Sequence, residues 1–265
     1  MNAGGDTIEE RIFEVAKEAA RIGGDIIASY FDLPIGRRLK DDKTFVTDAD
    51  TESEAAIVSH IKKQFPDHAI LGEESGDDKV DSPYQWIIDP LDGTSNFLNG
   101  IPVFCVSVGV YAKGVPVVGV IYQPVGGALY SSLRGTGAFS DSKKIAVSKE
   151  SADTGLITFG VGKGSTIKAV CTALFAASGD VFKTRRYFGS MAAELAFLAR
   201  GGTEAAVSLG TKKWDHAGGL ALLLEAGGTV TDFKGSSWKL GEEFFIASNG
   251  VCHQSALAMV QKTLI

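Results

Sequence analysis

Apolar positions recur at helical spacing from the start of the chain. Ile8, Ile12, Val15, Ala19, Ile22 and Ile26 fall on one face, behind a Thr7–Glu10 pair spaced as a capping box. The stretch "LPIGRRLKDDKTFVTDAD" breaks that period with Pro, Gly and charge, and reads as a loop or hairpin. A second helix is predicted from near Asp50 to about Phe65, with Ile57, Val58, Ile61 and Phe65 facing inward. "HAILGEES" and "QWIID" read as short strands. From Val103 to Val147 the chain is rich in Val and Tyr, punctuated by Lys113-Gly114 and Gly126-Gly127, which predicts an antiparallel meander with hairpin turns. Past Ser148 the periods alternate. "GLITF", "DVFKTRR", "EAAVSL", "TVTDF" and "EFFIAS" read as strands; "STIKAVCTALFAAS", "SMAAELAFLAR", "WDHAGGLALLLEAGG" and a closing segment from about Cys252 read as helices. Such alternation means layered helix and sheet, and no repeat, linker or low-complexity tract interrupts it.

The 265 residues, 45% hydrophobic and 22% charged, allow one large domain or two small ones. The expectation is a single domain over 1–265 with subdomains 1–147 and 148–265. A formal net charge of −6 weighs against nucleic acid as the main partner. An acidic protein that binds a phosphate ester needs local positive charge, and metal ions are one source. The three cysteines are widely spaced in apolar contexts, as expected of reduced thiols in a cytoplasmic protein. The N-terminal stretch lacks the pattern of a secretory signal, and no apolar run reaches the ~20 residues of a membrane span, so no membrane association is expected.

The candidate chemistry lies in "WIIDPLDGTSNF". An apolar strand ends in Asp89; Pro90 fixes the backbone, Asp92 follows, Gly93 permits a tight turn, and Thr94 offers a hydroxyl. If a helix starts there, its first N–H groups can hold a phosphate. Hard oxygen ligands beside an anion seat are what Mg²⁺ chemistry on phosphate esters requires. Glu73 and Glu74 in "GEES" could be a surface pair or could join this site. Asp215 in "KKWDHAGG" could be a plain N-terminal helix acid. For Thr47 and Asp50 in "KTFVTDAD", capping alone would suffice. Carboxylates converging in one pocket would raise one another's pKa and stay ionised only beside cations.

Taken in order, "DKTFVTDAD", "LGEES", "WIIDPLDGTSNF" and "WDHAGG" closely resemble the inositol monophosphatase family over nearly the whole chain. The resemblance implies an α/β (α+β) layered αβαβα sandwich of the inositol monophosphatase and fructose-bisphosphatase type. It also implies a lithium-sensitive homodimer using two to three Mg²⁺ ions. It implies hydrolysis of a small phosphorylated alcohol, foremost inositol 1-phosphate, by metal-activated water. It places one ion on Glu73, Asp89 and the Leu91 carbonyl, a second on Asp89, Asp92 and Asp215, and a third, looser one near Glu73. Thr94, paired with Asp50, would orient the water, with Glu73 also in the catalytic set. Asp92, Gly93, Thr94, Ser190, Ser208 and Asp215 would meet the substrate. The residues facing the alcohol would lie in "RRYFGSMAAE", Arg185 to Glu194, and around Ser208, which stands where the animal enzymes carry a glutamate for a ring hydroxyl; Arg185 and Arg186 could meet a second anionic group. Either Lys40 or Lys43 matches the family's lysine before the Val-Thr segment.

Other readings are weaker. A specialist for histidinol phosphate, fructose 1,6-bisphosphate or a nucleotide 3'- or 2'-phosphate would keep the same motifs. "FGVGKGST" suggests a nucleotide-binding module, but Lys163 is followed by Gly164, so it is no P-loop and reads as a loop before a helix. "DADTE" lacks the strand and residue pattern of aspartyl-phosphate phosphatases. A partner-binding module without catalysis is hard to reconcile with intact Glu73, Asp89, Asp92, Thr94 and Asp215. His60, His68, His216 and His253 are scattered, and His216 reads as structural although it neighbours Asp215.

Overall fold

The computed structural model describes residues 7–31, 33, 36–39 and 45–264. Lys40 and Lys43 lie outside them. Helix α1 (Ile8–Tyr30) begins at the expected capping box: Glu10 N donates to Thr7 Oγ1 at 3.2 Å and Thr7 N to Glu10 Oε2 at 2.7 Å. Strands β1 (Arg37–Leu39) and β2 (Phe45–Thr47) pair antiparallel, so the interruption is a hairpin. Helix α2 (Asp48–Gln64) starts two residues before the apolar period suggests, because Thr47 takes the N-cap position.

The first sheet has eight strands in the order β10-β9-β8-β7-β6-β5-β3-β4. They are β3 (Ala69–Gly72), β4 (Gly76–Asp77), β5 (Tyr84–Asp92), β6 (Cys105–Ala112), β7 (Val115–Gln123), β8 (Ala128–Leu133), β9 (Gly137–Ser140) and β10 (Lys143–Ile145). From β6 to β10 this is the expected antiparallel meander, and its first turn has both Lys113 and Gly114 at positive φ, 50° and 81°. A short helix, α3 (Thr94–Leu98), follows β5.

A second sheet, ordered β12-β11-β13-β15-β14, carries the alternating half. Its chain order is β11 (Leu156–Val161), α4 (Ser165–Ala177), β12 (Thr184–Arg186), α5 (Met191–Ala199), β13 (Ala205–Leu209), α6 (Lys213–Glu225), β14 (Thr229–Thr231), β15 (Phe244–Ser248) and α7 (His253–Leu264). The strand expected over "DVFKTRR" is shorter, since a 3₁₀ turn at Ser178–Asp180 takes its first residue and pairing begins only at Thr184.

Five layers result. α1 and α2 cover one face of the first sheet; α5 and α6 fill the space between the sheets; α4 and α7 cover the far face of the second. Each interface has its own apolar core: Ile12, Ile57, Trp86 and Val108 in the first, Leu195, Leu220 and Phe245 in the second, Phe159, Leu174 and Val260 in the third. The middle layer packs closely enough to require glycine. A Cβ on Gly119 of β7 would stand 2.4 Å from the Gly218 carbonyl oxygen of α6. That contact seats the N-terminal half of α6, and with it Asp215, against the first sheet.

Candidate active site

The site forms where β5, α2, α5 and α6 meet. Along a regular strand, residues three apart point to opposite faces, so Asp89 and Asp92 would be separated. Instead the pairing of β5 with β6 slips between Asp89 and Asp92: Asp89 lies opposite Ser107 and Asp92 opposite Cys105. Pro90 has no N–H to give to the ladder, and a bulge at this point brings both carboxylates to one side. The chain then turns at Gly93, whose φ of 97° lies in the left-handed region, and α3 begins at Thr94.

Each carboxylate is held by one oxygen. Asp89 Oδ1 accepts from Leu91 N at 3.0 Å. Asp92 Oδ2 accepts from Ser190 Oγ at 2.7 Å and from Ala192 N at 2.6 Å, at the start of α5. Asp215 Oδ2 accepts from Lys212 N at 2.7 Å, as an N-terminal helix acid does. Asp50 Oδ2 accepts from both Thr47 N (2.7 Å) and Thr47 Oγ1 (2.6 Å), while its Oδ1 stands 3.4 Å from Thr94 Oγ1. Capping and an approach to Thr94 thus use different oxygens of one side chain. Thr94 Oγ1 also reaches the Leu91 carbonyl at 3.1 Å.

The electrostatics tie these groups together. Burial pushes the Asp89 carboxyl well above its ordinary range, and the charges of Glu73, Asp92 and Asp215 add to the rise. Burial lifts Asp92 to about 7 against the opposing hydrogen bonds from Ser190 and Ala192, with Glu194 and Glu73 pushing it further up. Asp215 is also raised well above its usual value, first by burial and then by Asp92, while Lys163 works in the other direction. Glu73, Asp89, Asp92 and Asp215 therefore share one field. They do not form a finished cage: among the described residues, no three Asp, Glu, His or Cys side chains are grouped closely enough to hold an ion as they stand. The donors nonetheless fit a hard divalent cation. All are oxygens, and those of Asp89, Asp92 and Asp215 belong to carboxyls whose pKa values are raised first by burial and then by neighbouring carboxylates, Glu73 among them in all three cases.

Beside Asp92 and Asp215 opens a small cleft, walled by Gly160, Val161, Tyr187, Gly189, Ser190, Met191 and Thr211. Ser190 is thus at the cleft, although its hydroxyl is given to Asp92. Ser208 is not. Its side chain is fully buried and its hydroxyl lies 2.7 Å from both Thr211 Oγ1 and the Glu243 carbonyl. Thr211 stands between Ser208 and the cleft and continues the chain to His216 Nδ1 at 3.1 Å. His216 is buried, and burial lowers its pKa to about 3, so it is a neutral structural ring. Arg185 lies over the Phe175 ring at 5.6 Å and Arg186 bonds the Arg185 carbonyl, so neither lines the cleft.

Sequence reasoning passed over several residues. The loop read from "FGVGKGST" as a mere lead-in to a helix supplies Gly160 and Val161 to the cleft wall. Its glycines were the visible signal. Tyr187 and Met191, within the Arg185–Glu194 stretch that the resemblance places on the alcohol side, complete the wall. Two glutamates, Glu54 and Glu194, are buried near the site. Glu54 accepts backbone N–H bonds from the "GEES" turn, and Glu194 accepts one from Phe188 at 3.0 Å. Burial raises Glu194 to about 7.

The chain is similar to known proteins over nearly its whole length. The sequence profile of the inositol monophosphatase family matches residues 8–264. The chain is 36% identical over 258 residues to the chloroplastic phosphatase IMPL1 of Arabidopsis thaliana, covering 94% of this chain and 70% of that protein. It is 35% identical over 244 residues to Nus factor SuhB of Escherichia coli (strain K12), covering 90% and 89% of the two. Among solved structures, the inositol monophosphatase of Anabaena (Nostoc) sp. PCC 7120 superimposes with a TM-score of 0.87 at 33% identity, over 97% of both chains. The fold, the ordered carboxylate motifs and a match across almost the full length agree, and the chain belongs to the inositol monophosphatase family of phosphoric monoester hydrolases.

Proposed function

We propose that this protein hydrolyses small polyol and sugar phosphate monoesters with Mg²⁺, inositol 1-phosphate among them. The carrying observation is the shared field of Glu73, Asp89, Asp92 and Asp215 beside the Thr94–Asp50 approach. Glu73, Asp89 and the Leu91 carbonyl would hold one ion, Asp89, Asp92 and Asp215 a second, and the surroundings of Glu73 a looser third. Bound there, the ions supply Lewis-acid charge to the attacking water and the leaving oxygen.

The remaining work belongs to the chain. Asp50 is pinned through Oδ2 and offers Oδ1 to Thr94. A Thr94 hydroxyl that donates to Asp50 keeps its lone pairs for the proton of the attacking water, and so orients it. Gly93 and Thr94 open α3, where backbone N–H groups have no carbonyl one turn earlier, and they serve the phosphate oxygens. The leaving alcohol faces Val161, Tyr187, Met191 and glycine backbone, with Ser190 and Thr211 whose hydroxyls are already engaged by Asp92 and by Ser208 and His216. Few side chains there can read individual hydroxyls, which supports broad specificity. The same reading takes the protein as a cytoplasmic, lithium-sensitive homodimer, on the strength of the family resemblance.

The test is phosphate release from a panel of inositol, sugar, histidinol and nucleotide phosphates, with and without Mg²⁺. The expected result is Mg²⁺-dependent release, with inositol 1-phosphate favoured by no more than ~100-fold over other small polyol phosphates. Hydrolysis of a nucleotide or histidinol phosphate alone would refute the substrate class, and Mg²⁺-independent release would refute the ion assignment.

A further inference from the structure

Helix α2 carries more than Asp50. One turn on, Glu54 is 2% exposed and points at the turn after β3. Its Oε2 accepts from Glu74 N at 2.9 Å and its Oε1 from Ser75 N at 2.7 Å. The preceding N–H, that of Glu73, donates to the Ile88 carbonyl of β5 at 3.1 Å. Three successive backbone donors, Glu73 to Ser75, are thus fixed, one by the strand bearing Asp89 and two by a single buried carboxylate. The space for that carboxylate depends on Gly72, where a Cβ would stand 2.5 Å from Glu54 Oε1. A buried side chain whose two oxygens accept two successive N–H groups is a directional restraint.

We propose that Glu54 is a positioning residue for cation binding: it fixes the turn that aims Glu73 into the site. Asp50 and Glu54 lie four apart on one helical face, so α2 holds the Thr94 partner and the Glu73 turn at a set separation. This inference rests on the reading of Glu73 as a cation ligand. A purely architectural Glu54 would stabilise the fold without favouring the cation-bound state.

Glu54→Gln keeps the volume but turns one acceptor into a donor, so one of the two N–H groups loses its partner. Mg²⁺ affinity, read by titration calorimetry and by the Mg²⁺-dependent rise in Tm, is expected to fall ~10-fold or more, as for other residues that orient ligands from behind. In a Glu73→Gln background, Glu54→Gln should cause no further loss, because it acts through Glu73. Gly72→Ala, which crowds the same carboxylate from the other side, should also weaken Mg²⁺ binding and serves if Glu54→Gln does not fold. Wild-type Mg²⁺ affinity in Glu54→Gln or Gly72→Ala, with Glu73→Gln clearly weakened, would overturn the positioning role alone. So would a loss in Glu54→Gln that persists in full in the Glu73→Gln background. Wild-type affinity in Glu73→Gln would overturn the ligand reading and this inference together.

Discussion

Asp92 links the two halves of the site. One oxygen is fixed by Ser190 and the Ala192 N–H, which leaves the other for a cation. Asp92→Asn retains an oxygen for those two donors but removes the charge. Turnover at saturating Mg²⁺ is expected to fall at least ~10²-fold, or ~3 kcal/mol of transition-state stabilisation, with the far-UV circular dichroism unchanged. Near wild-type kcat in the folded variant would refute the role. Ser208 gives the opposite expectation. Its hydroxyl is spent on Thr211 and the Glu243 carbonyl inside the second sheet. Ser208→Ala should cost about 1 kcal/mol of stability in urea unfolding and leave the ratios of kcat/KM among alcohol phosphates in place. Tyr187→Ala removes a cleft wall and should change those ratios. A change of selectivity in Ser208→Ala and none in Tyr187→Ala would restore Ser208 as a substrate contact.

Between elements, the decisive contact is the seat of α6 on the first sheet. Gly119 faces the backbone of Gly218, which cannot move without the helix. Gly119→Ala therefore shifts α6 and the Asp215 at its first turn. Overpacking of this kind costs typically ~1–3 kcal/mol, and the displaced Asp215 should also raise the Mg²⁺ concentration needed for half-maximal activity. Chemical denaturation and a Mg²⁺ titration would check the two effects. Unchanged stability would show that the layers can separate more easily than their spacing indicates.

For the whole molecule, cation binding and folding are linked. The burial and, with it, the repulsion that raise Asp89, Asp92 and Asp215 are costs borne by the folded state alone. Mg²⁺ bound as proposed would relieve them, and at about 100 times its Kd it should add roughly 2.7 kcal/mol of stability. A Tm indifferent to millimolar Mg²⁺, with chelator as control, would contradict this. The pH dependence follows from the same groups. Asp92 and Glu194 are raised from 3.8 and 4.5 to about 7 in the folded protein. Their contribution is full below the unfolded values and is lost as pH rises through about 7, because the folded state keeps protons that the unfolded chain has released. His216, lowered from 6.5 to about 3, acts in the opposite sense, as do His68 and His253, which burial also lowers, but Asp89 and Asp215 are raised well above their ordinary value and act with Asp92 and Glu194. Without Mg²⁺, Tm should therefore fall between pH 5 and pH 7.5, by less when Mg²⁺ is present. A rise over that interval in chelator would show that these carboxylates are ionised throughout.

The elements were legible in the sequence because they rest on local patterns, and the five-layer order came with the family resemblance that the motifs carry. The capping box at Thr7, the turns at Lys113 and Gly126, and the alternation of strand and helix periods each depend on neighbours in the chain. The carboxylate motifs were legible for the same reason: each is a short run with unusual chemistry. What only the tertiary structure decided concerns groups far apart in sequence. The slip between β5 and β6 turns Asp89 and Asp92 to the same side. The depth of β13 withdraws Ser208, and the loop after β11 becomes a cleft wall. Glu54 was invisible as a site residue because a glutamate in a polar helix reads as a solvated face. Only packing shows that it is buried and bonded to a turn 20 residues away.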